Sequence, residues 1–183
     1  MTRAVVLLAI AALLAVASTG CGGDDADEPE TSTAVAWADE LCSAGTTWID
    51  ELERIGDDFT DVSSLSGESL RQAASDVGTA TDAFLEDIRA LGAPESGSGD
   101  EAQRLLEDLS DTLESEKDEV EDAIDDASGF TGIASAVSTA AGSLATMWRE
   151  FRRTFDELRE LDASGELETA FEDAEACDRF MSS

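Results

Sequence analysis

From residue 34 onward, apolar residues return every three or four positions, the spacing of a helix with one buried face. The first such stretch, 34–55, carries Ala38, Leu41, Cys42, Gly45, Trp48, Ile49, Leu52 and Ile55 on one side. Thr33 is its expected N-cap, and Gly56-Asp57-Asp58 ends it ahead of an Asp- and Ser-rich loop over 57–66. The second, 67–91, is the most regular: Leu70, Val77, Phe84 and Leu91 stand seven apart, with Ala74, Thr81 and Ile88 between them. Ser66 is positioned to cap it, and Gly92-Ala93-Pro94 is a stop signal.

The third stretch, 99–127, follows Gly97-Ser98-Gly99, and Ser98 and Glu101 have the spacing of a capping box. Ala102, Leu105, Leu106, Leu109, Leu113, Val120, Ile124 and Ala127 point inward, but Glu116-Lys117 interrupts the stripe. That interruption predicts an exposed or frayed turn, with a polar inclusion in the core as the other reading. The fourth, 132–161, is expected to begin after Ser128-Gly129 with Thr131 as cap. In its first half Ala134, Ser138, Gly142 and Thr146 stand four apart, a stripe that would let a neighbouring helix approach closely. Its second half is bulky, with Met147, Trp148, Phe151, Phe155, Leu158 and Leu161. After a turn, residues 165–180 predict one short helix or two, with Leu167, Ala170, Phe171, Ala174 and Cys177 inward. No alternating strand pattern occurs, and the short joints favour antiparallel neighbours. The expected fold is therefore all-α: an antiparallel bundle of four main helices plus a short C-terminal helical segment, forming one domain over 34–183.

The front of the chain follows a different pattern. Arg3 precedes an unbroken apolar run over 4–17, then Ser18-Thr19-Gly20 and Cys21. A charged start, an apolar middle and a small-residue zone make a secretory signal. The run is short of the ~20 residues that a membrane span needs. A cysteine directly after the small residues predicts a lipoprotein signal, residues 1–20, with cleavage before Cys21 and a lipid on its thiol. Ser18 stands where an aliphatic residue is usual. Residues 21–33 then form a lipidated Cys and an acidic tether, too poor in apolar residues to order itself. The expected location is the extracytoplasmic face of the cell membrane, with the membrane as partner through Cys21.

Charge narrows the function classes. There are 43 Asp and Glu against 11 Lys and Arg, a net −32. Nucleic-acid binding relies on cations that neutralise phosphates, and docking on anionic lipid needs them too, so both are disfavoured. A basic partner or a cation layer is compatible with such a surface. The plainer reading is a set of solvated helix faces. The absence of His excludes Ser-His-Asp catalysis, imidazole zinc sites and H-E-x-x-H proteases. No Gly-rich phosphate loop occurs, and Asp122, Asp125, Asp126 and Gly129 do not match a calcium loop, nor do Asp57, Asp58 and Asp61. No enzyme activity, cofactor or dedicated metal site is expected. With Cys21 lipidated, Cys42 and Cys177 remain as an even pair, which predicts a disulfide outside the cytoplasm. One cationic cluster departs from the general acidity: Arg149, Arg152, Arg153 and Arg159. It reads either as ion pairing with neighbouring acidic helices or as an anion or ligand patch formed by Trp148, Arg149, Arg152 and Arg153.

Trp37-Ala38-Asp39-Glu40-Leu41-Cys42 near the front, with Gly165-Glu166-Leu167, Ala170-Phe171 and Ala176-Cys177 near the end, resembles a group of small actinobacterial lipoproteins and secreted proteins. The resemblance implies a helical body with one cysteine near each end. It implies no activity and carries over no functional residue except Cys21. The function expected is a non-enzymatic envelope interaction module that binds another envelope protein or basic groups. The alternative is a ligand- or metal-binding lipoprotein serving a transporter.

Overall fold

The computed structural model describes residues 33–57, 66–161 and 164–181; the predicted leader, Cys21 and most of the tether lie outside them. The elements are α1 (Thr33–Asp57), α2 (Gly67–Leu91), α3 (Gly99–Asp125), α4 (Gly129–Glu160), α5 (Glu166–Asp173), a 3-10 turn (Glu175–Cys177) and α6 (Asp178–Met181). Each long helix packs on the next, α1 on α2, α2 on α3 and α3 on α4. The C-terminal segment folds back: α5 lies against α1 and α4, and the 3-10 turn against α1. The fold is an all-α antiparallel bundle with no strand among the described residues.

The ends of α2 lie where the sequence placed them because both signals are strong. The Ser66 hydroxyl accepts from the Ser69 N–H at 3.1 Å, and Ser69 Oγ accepts from the Ser66 N–H at 2.8 Å, closing a capping box. Gly92 leaves the helix with φ +62°, a conformation that suits glycine. Its carbonyl accepts the Trp37 indole N–H at 3.0 Å, tying the start of α1 to the end of α2.

Other ends differ from expectation. Ser98 makes no side-chain cap: with φ −107° and ψ 14° it is not in the extended form that aims the hydroxyl back at the first turn. Backbone bonds from Glu101 and Ala102 to the Ser98 carbonyl start α3 instead. Helix α3 stops at Asp125, two residues early. Helix α4 begins at Gly129, which has φ +65°, so Thr131 lies inside it and is not the cap. Thr33 is likewise the first residue of α1.

The core has two parts. The larger joins Trp37, Trp48, Phe84, Phe151, Phe155, Phe171 and Phe180 with aliphatic side chains from every long helix. The smaller, at the other end, holds Leu70, Ala74, Val120, Ile124 and Ala136. Between them α3 is unbroken through Glu116-Lys117, so there is no frayed turn. The Lys117 side chain is 17% exposed and its Nζ lies 2.7 Å from Asp82 Oδ1. Its stem runs close to Gly78, whose missing side chain leaves room for it.

The small-residue stripe of α4 is the clearest correction. Ala134, Ser138 and Gly142 face solvent, and a Cβ on Gly142 would meet nothing within 4 Å. The inward line is Ala136, Ser143 and Met147. The close approach occurs instead at buried Gly45 of α1, where a Cβ would lie 2.6 Å from the Phe151 ring.

Candidate interaction surface

Cys42 and Cys177 stand at disulfide-bonding distance, their sulfurs 2.01 Å apart and both side chains fully buried. They meet because the apolar face of the C-terminal segment covers α1 and α4. Phe171 sits edge-on to Trp37 and Phe155, with ring centroids 6.0 and 5.0 Å away, and Phe180 packs on Phe151 at 5.3 Å. Two polar ties hold the segment down. Asp39 Oδ1 accepts the Ala176 N–H at 3.0 Å. Arg179 reaches Asp50 and Glu53 of α1, and the Asp50 hydrogen bond raises its already high pKa. Sequence reading missed Asp39; its signal is a carboxylate set in the otherwise apolar run around Trp37 and Ala38.

Trp148 is 39% exposed and is the large apolar side chain left at the surface among the described residues. It stands at one edge of a groove of about 290 Å³ between α1 and α4, lined by Trp48, Ile49, Leu52, Glu53 and Leu144. Its inner face stacks on Phe151, centroids 6.0 Å apart, and the Arg152 guanidinium lies 5.8 Å from the indole centroid, a cation–π contact. Arg149 donates to the Thr146 hydroxyl at 2.9 Å.

The cationic cluster divides on inspection. Arg153 pairs with Glu150 and Glu157, and Arg159 with Asp156, all within α4. Pairing of these arginines with neighbouring helices, the expected form, does not occur among the described residues, because acids three and four positions away on the same helix reach first. Arg149 and Arg152 have no carboxylate within 4.0 Å among the described residues. The structure thus groups Trp148, Arg149 and Arg152, and turns Arg153 toward its own helix's acids.

Other parts of the surface carry further grooves. A groove between α1 and α2, about 230 Å³, has a floor of Ala44, Thr47 and Ala80 beside Trp48 and Phe84. It continues into one of about 430 Å³ bordered by Glu40 and Asp87. Glu51 on its rim is held below the usual carboxylate range by the Arg54 hydrogen bond. No group of three ligating side chains suited to a metal occurs among the described residues. No helix among them is long and apolar enough to cross a membrane. Compared with protein-family models, curated proteins and solved structures, the chain matches none of them.

Proposed function

We propose that this chain is a non-enzymatic interaction module, held at the extracytoplasmic face of a membrane by lipid on Cys21, with the outer face of α4 as its contact surface. Trp148 carries the reading. An aromatic ring left 39% exposed beside an apolar groove, in a bundle that buries Trp37 and Trp48, is the anchor that binding surfaces favour. The two arginines beside it, without carboxylate partners among the described residues in a chain of net charge −32, leave a cationic edge for an acidic group of the partner. The remaining acidic faces suit basic groups. Kinship with small actinobacterial lipoproteins belongs to the same proposal and rests on the terminal motifs.

The test is crosslinking in intact cells from a photoreactive residue at Trp148, with neighbours identified by mass spectrometry. Arg149→Ala with Arg152→Ala should remove the crosslinked partner while the melting temperature holds. Loss of stability with no loss of partner refutes the assignment. Cys21→Ala should release the protein from the membrane fraction; equal retention would show that the anchor is elsewhere.

The alternative, a ligand- or metal-binding lipoprotein serving a transporter, draws on the open groove of about 430 Å³ beside Glu40 and Asp87. Its size suits a small molecule. It predicts a ligand-dependent melting shift that Glu40→Gln with Asp87→Asn abolishes.

A further inference from the structure

Residues 129–148 contain twenty positions without one Asp, Glu, Lys or Arg, whereas the next longest charge-free run inside a described helix is the nine of 41–49. The run is not a buried helix. Thr131, Ala134, Ser138, Ala141, Gly142 and Ala145 are exposed, and at 100° per residue they share one face of α4 with Arg149 and Arg152. A face that mixes alanine with hydroxyls and lacks large aliphatics is poor for a lipid surface, yet it lets another helix come close.

We propose that this face binds a second copy of the chain, two α4 helices packing antiparallel about a twofold axis near Ser138. The inference rests on the reading of α4 as the contact surface and names its partner. Charge selects the occupant. Elsewhere, contact between two copies would bring like carboxylates together, as with Glu86 and Asp87 of α2 or Asp108 and Asp111 of α3, all exposed. On α4 the approach is uncharged at the centre and complementary at the ends. Arg149 lies eleven residues after Ser138, about 16 Å along the helix. At the other end, α4 begins at Gly129, nine residues before Ser138, and the exposed Asp125 and Asp126 shortly precede that start. An antiparallel pair with its axis at Ser138 therefore carries each Arg149, which has no carboxylate of its own within 4.0 Å among the described residues, to the N-terminal end of the partner's α4, the end that Asp125 and Asp126 precede. The symmetry makes the contact twice. Trp148 borders each end of the interface.

Ser138→Cys in the full chain, produced in cells, tests this directly. Near a twofold axis the two new thiols meet, while Cys42 and Cys177 are buried against each other. Mild oxidation should give a dimer of two identical chains, confirmed by peptide mass spectrometry, severalfold more abundant than from Ala90→Cys on the exposed side of α2. Adding Arg149→Glu should remove most of it, and adding Asp125→Arg with Asp126→Arg should restore it. No excess of self-dimer over Ala90→Cys, or failure of the reversed charges to restore it, overturns the proposal. A link from Ser138→Cys to a different protein also overturns it, but leaves α4 as the contact surface. Links to nothing from both Ser138→Cys and the Trp148 photocrosslinker remove both readings.

Discussion

Replacing Gly45 by alanine should destabilise this bundle, although the same change improves most helices. In a helix interior, Gly→Ala gains about 1 kcal/mol from reduced backbone freedom in the unfolded chain. At Gly45 the added carbon would lie 2.6 Å from Phe151 Cζ, 3.0 Å from Cε2 and 3.6 Å from Phe180 Cζ. Carbon atoms rest ~3.5–4.0 Å apart, so the ring must move by roughly 1 Å. It has little room. Phe151 is 2% exposed and is walled in by Trp48, Phe84, Trp148 and Phe180, with centroids 5.3 to 6.0 Å away. Overpacking of this kind costs about 1–3 kcal/mol. Gly142 is the matched control, being mid-helix with nothing within 4 Å of a new Cβ. The propensity gain cancels between the two variants, so Gly142→Ala should exceed Gly45→Ala in unfolding free energy by about 1–3 kcal/mol. That is several degrees in melting temperature for a domain of this size. Urea unfolding under oxidising conditions measures it, with the m-value checked for constancy. Equal stabilisation by both variants would show that Phe151 does not fill the hollow at Gly45 and would refute the packing between α1 and α4.

Further outcomes follow from the C-terminal segment and from Lys117. Cys42→Ala with Cys177→Ala opens a loop of 135 residues and should cost about 5 kcal/mol on the chain-entropy model, read as a lower urea midpoint that equals that of the reduced wild type. Asp39→Ala leaves the Ala176 N–H without its acceptor and should cost about 1–3 kcal/mol while speeding reduction of the disulfide by added thiol, since the segment lifts more readily. The Asp82 hydrogen bond raises the Lys117 pKa. A raised pKa means stability fully present below the ordinary lysine value and lost as pH climbs through the folded value. Wild type should therefore lose more stability than Lys117→Gln between about pH 9 and 12, by less than ~1 kcal/mol given the exposure of Asp82. Parallel pH curves would show that the pair contributes nothing.

The sequence was legible where charge marked the outside of a helix. Helix α2 has acids on one side, a capping serine before it and Gly-Ala-Pro after it, so its face and its ends both followed. In α4 the first twenty residues carry no charge, and two lines compete: Ala134, Ser138 and Gly142, or Ala136, Ser143 and Met147. Periodicity alone cannot choose between them; Ala136 packs with Ala74, Val120 and Ile124, and Met147 joins the larger core, which puts the second line inside. Lys117 misled for a related reason, since a residue letter does not show that a long stem can lie over a glycine while its amine reaches a carboxylate. Among the candidate positions, Cys42 and Cys177 were readable from parity. That Arg153 meets the acids of its own helix while Arg149 and Arg152 meet Thr146 and Trp148 depends on rotamers, which no spacing rule supplies. Cys21 lies outside the described residues.

The way the tail closes the bundle has a bearing on how the chain is made. Leu167, Ala170, Phe171, Ala174, Cys177 and Phe180 are buried and are made after the four long helices. Until they arrive, Trp37 and Phe155 lack a cover and Cys42 lacks its mate. The covalent closure of the bundle therefore waits for Cys177, after all four long helices have been made.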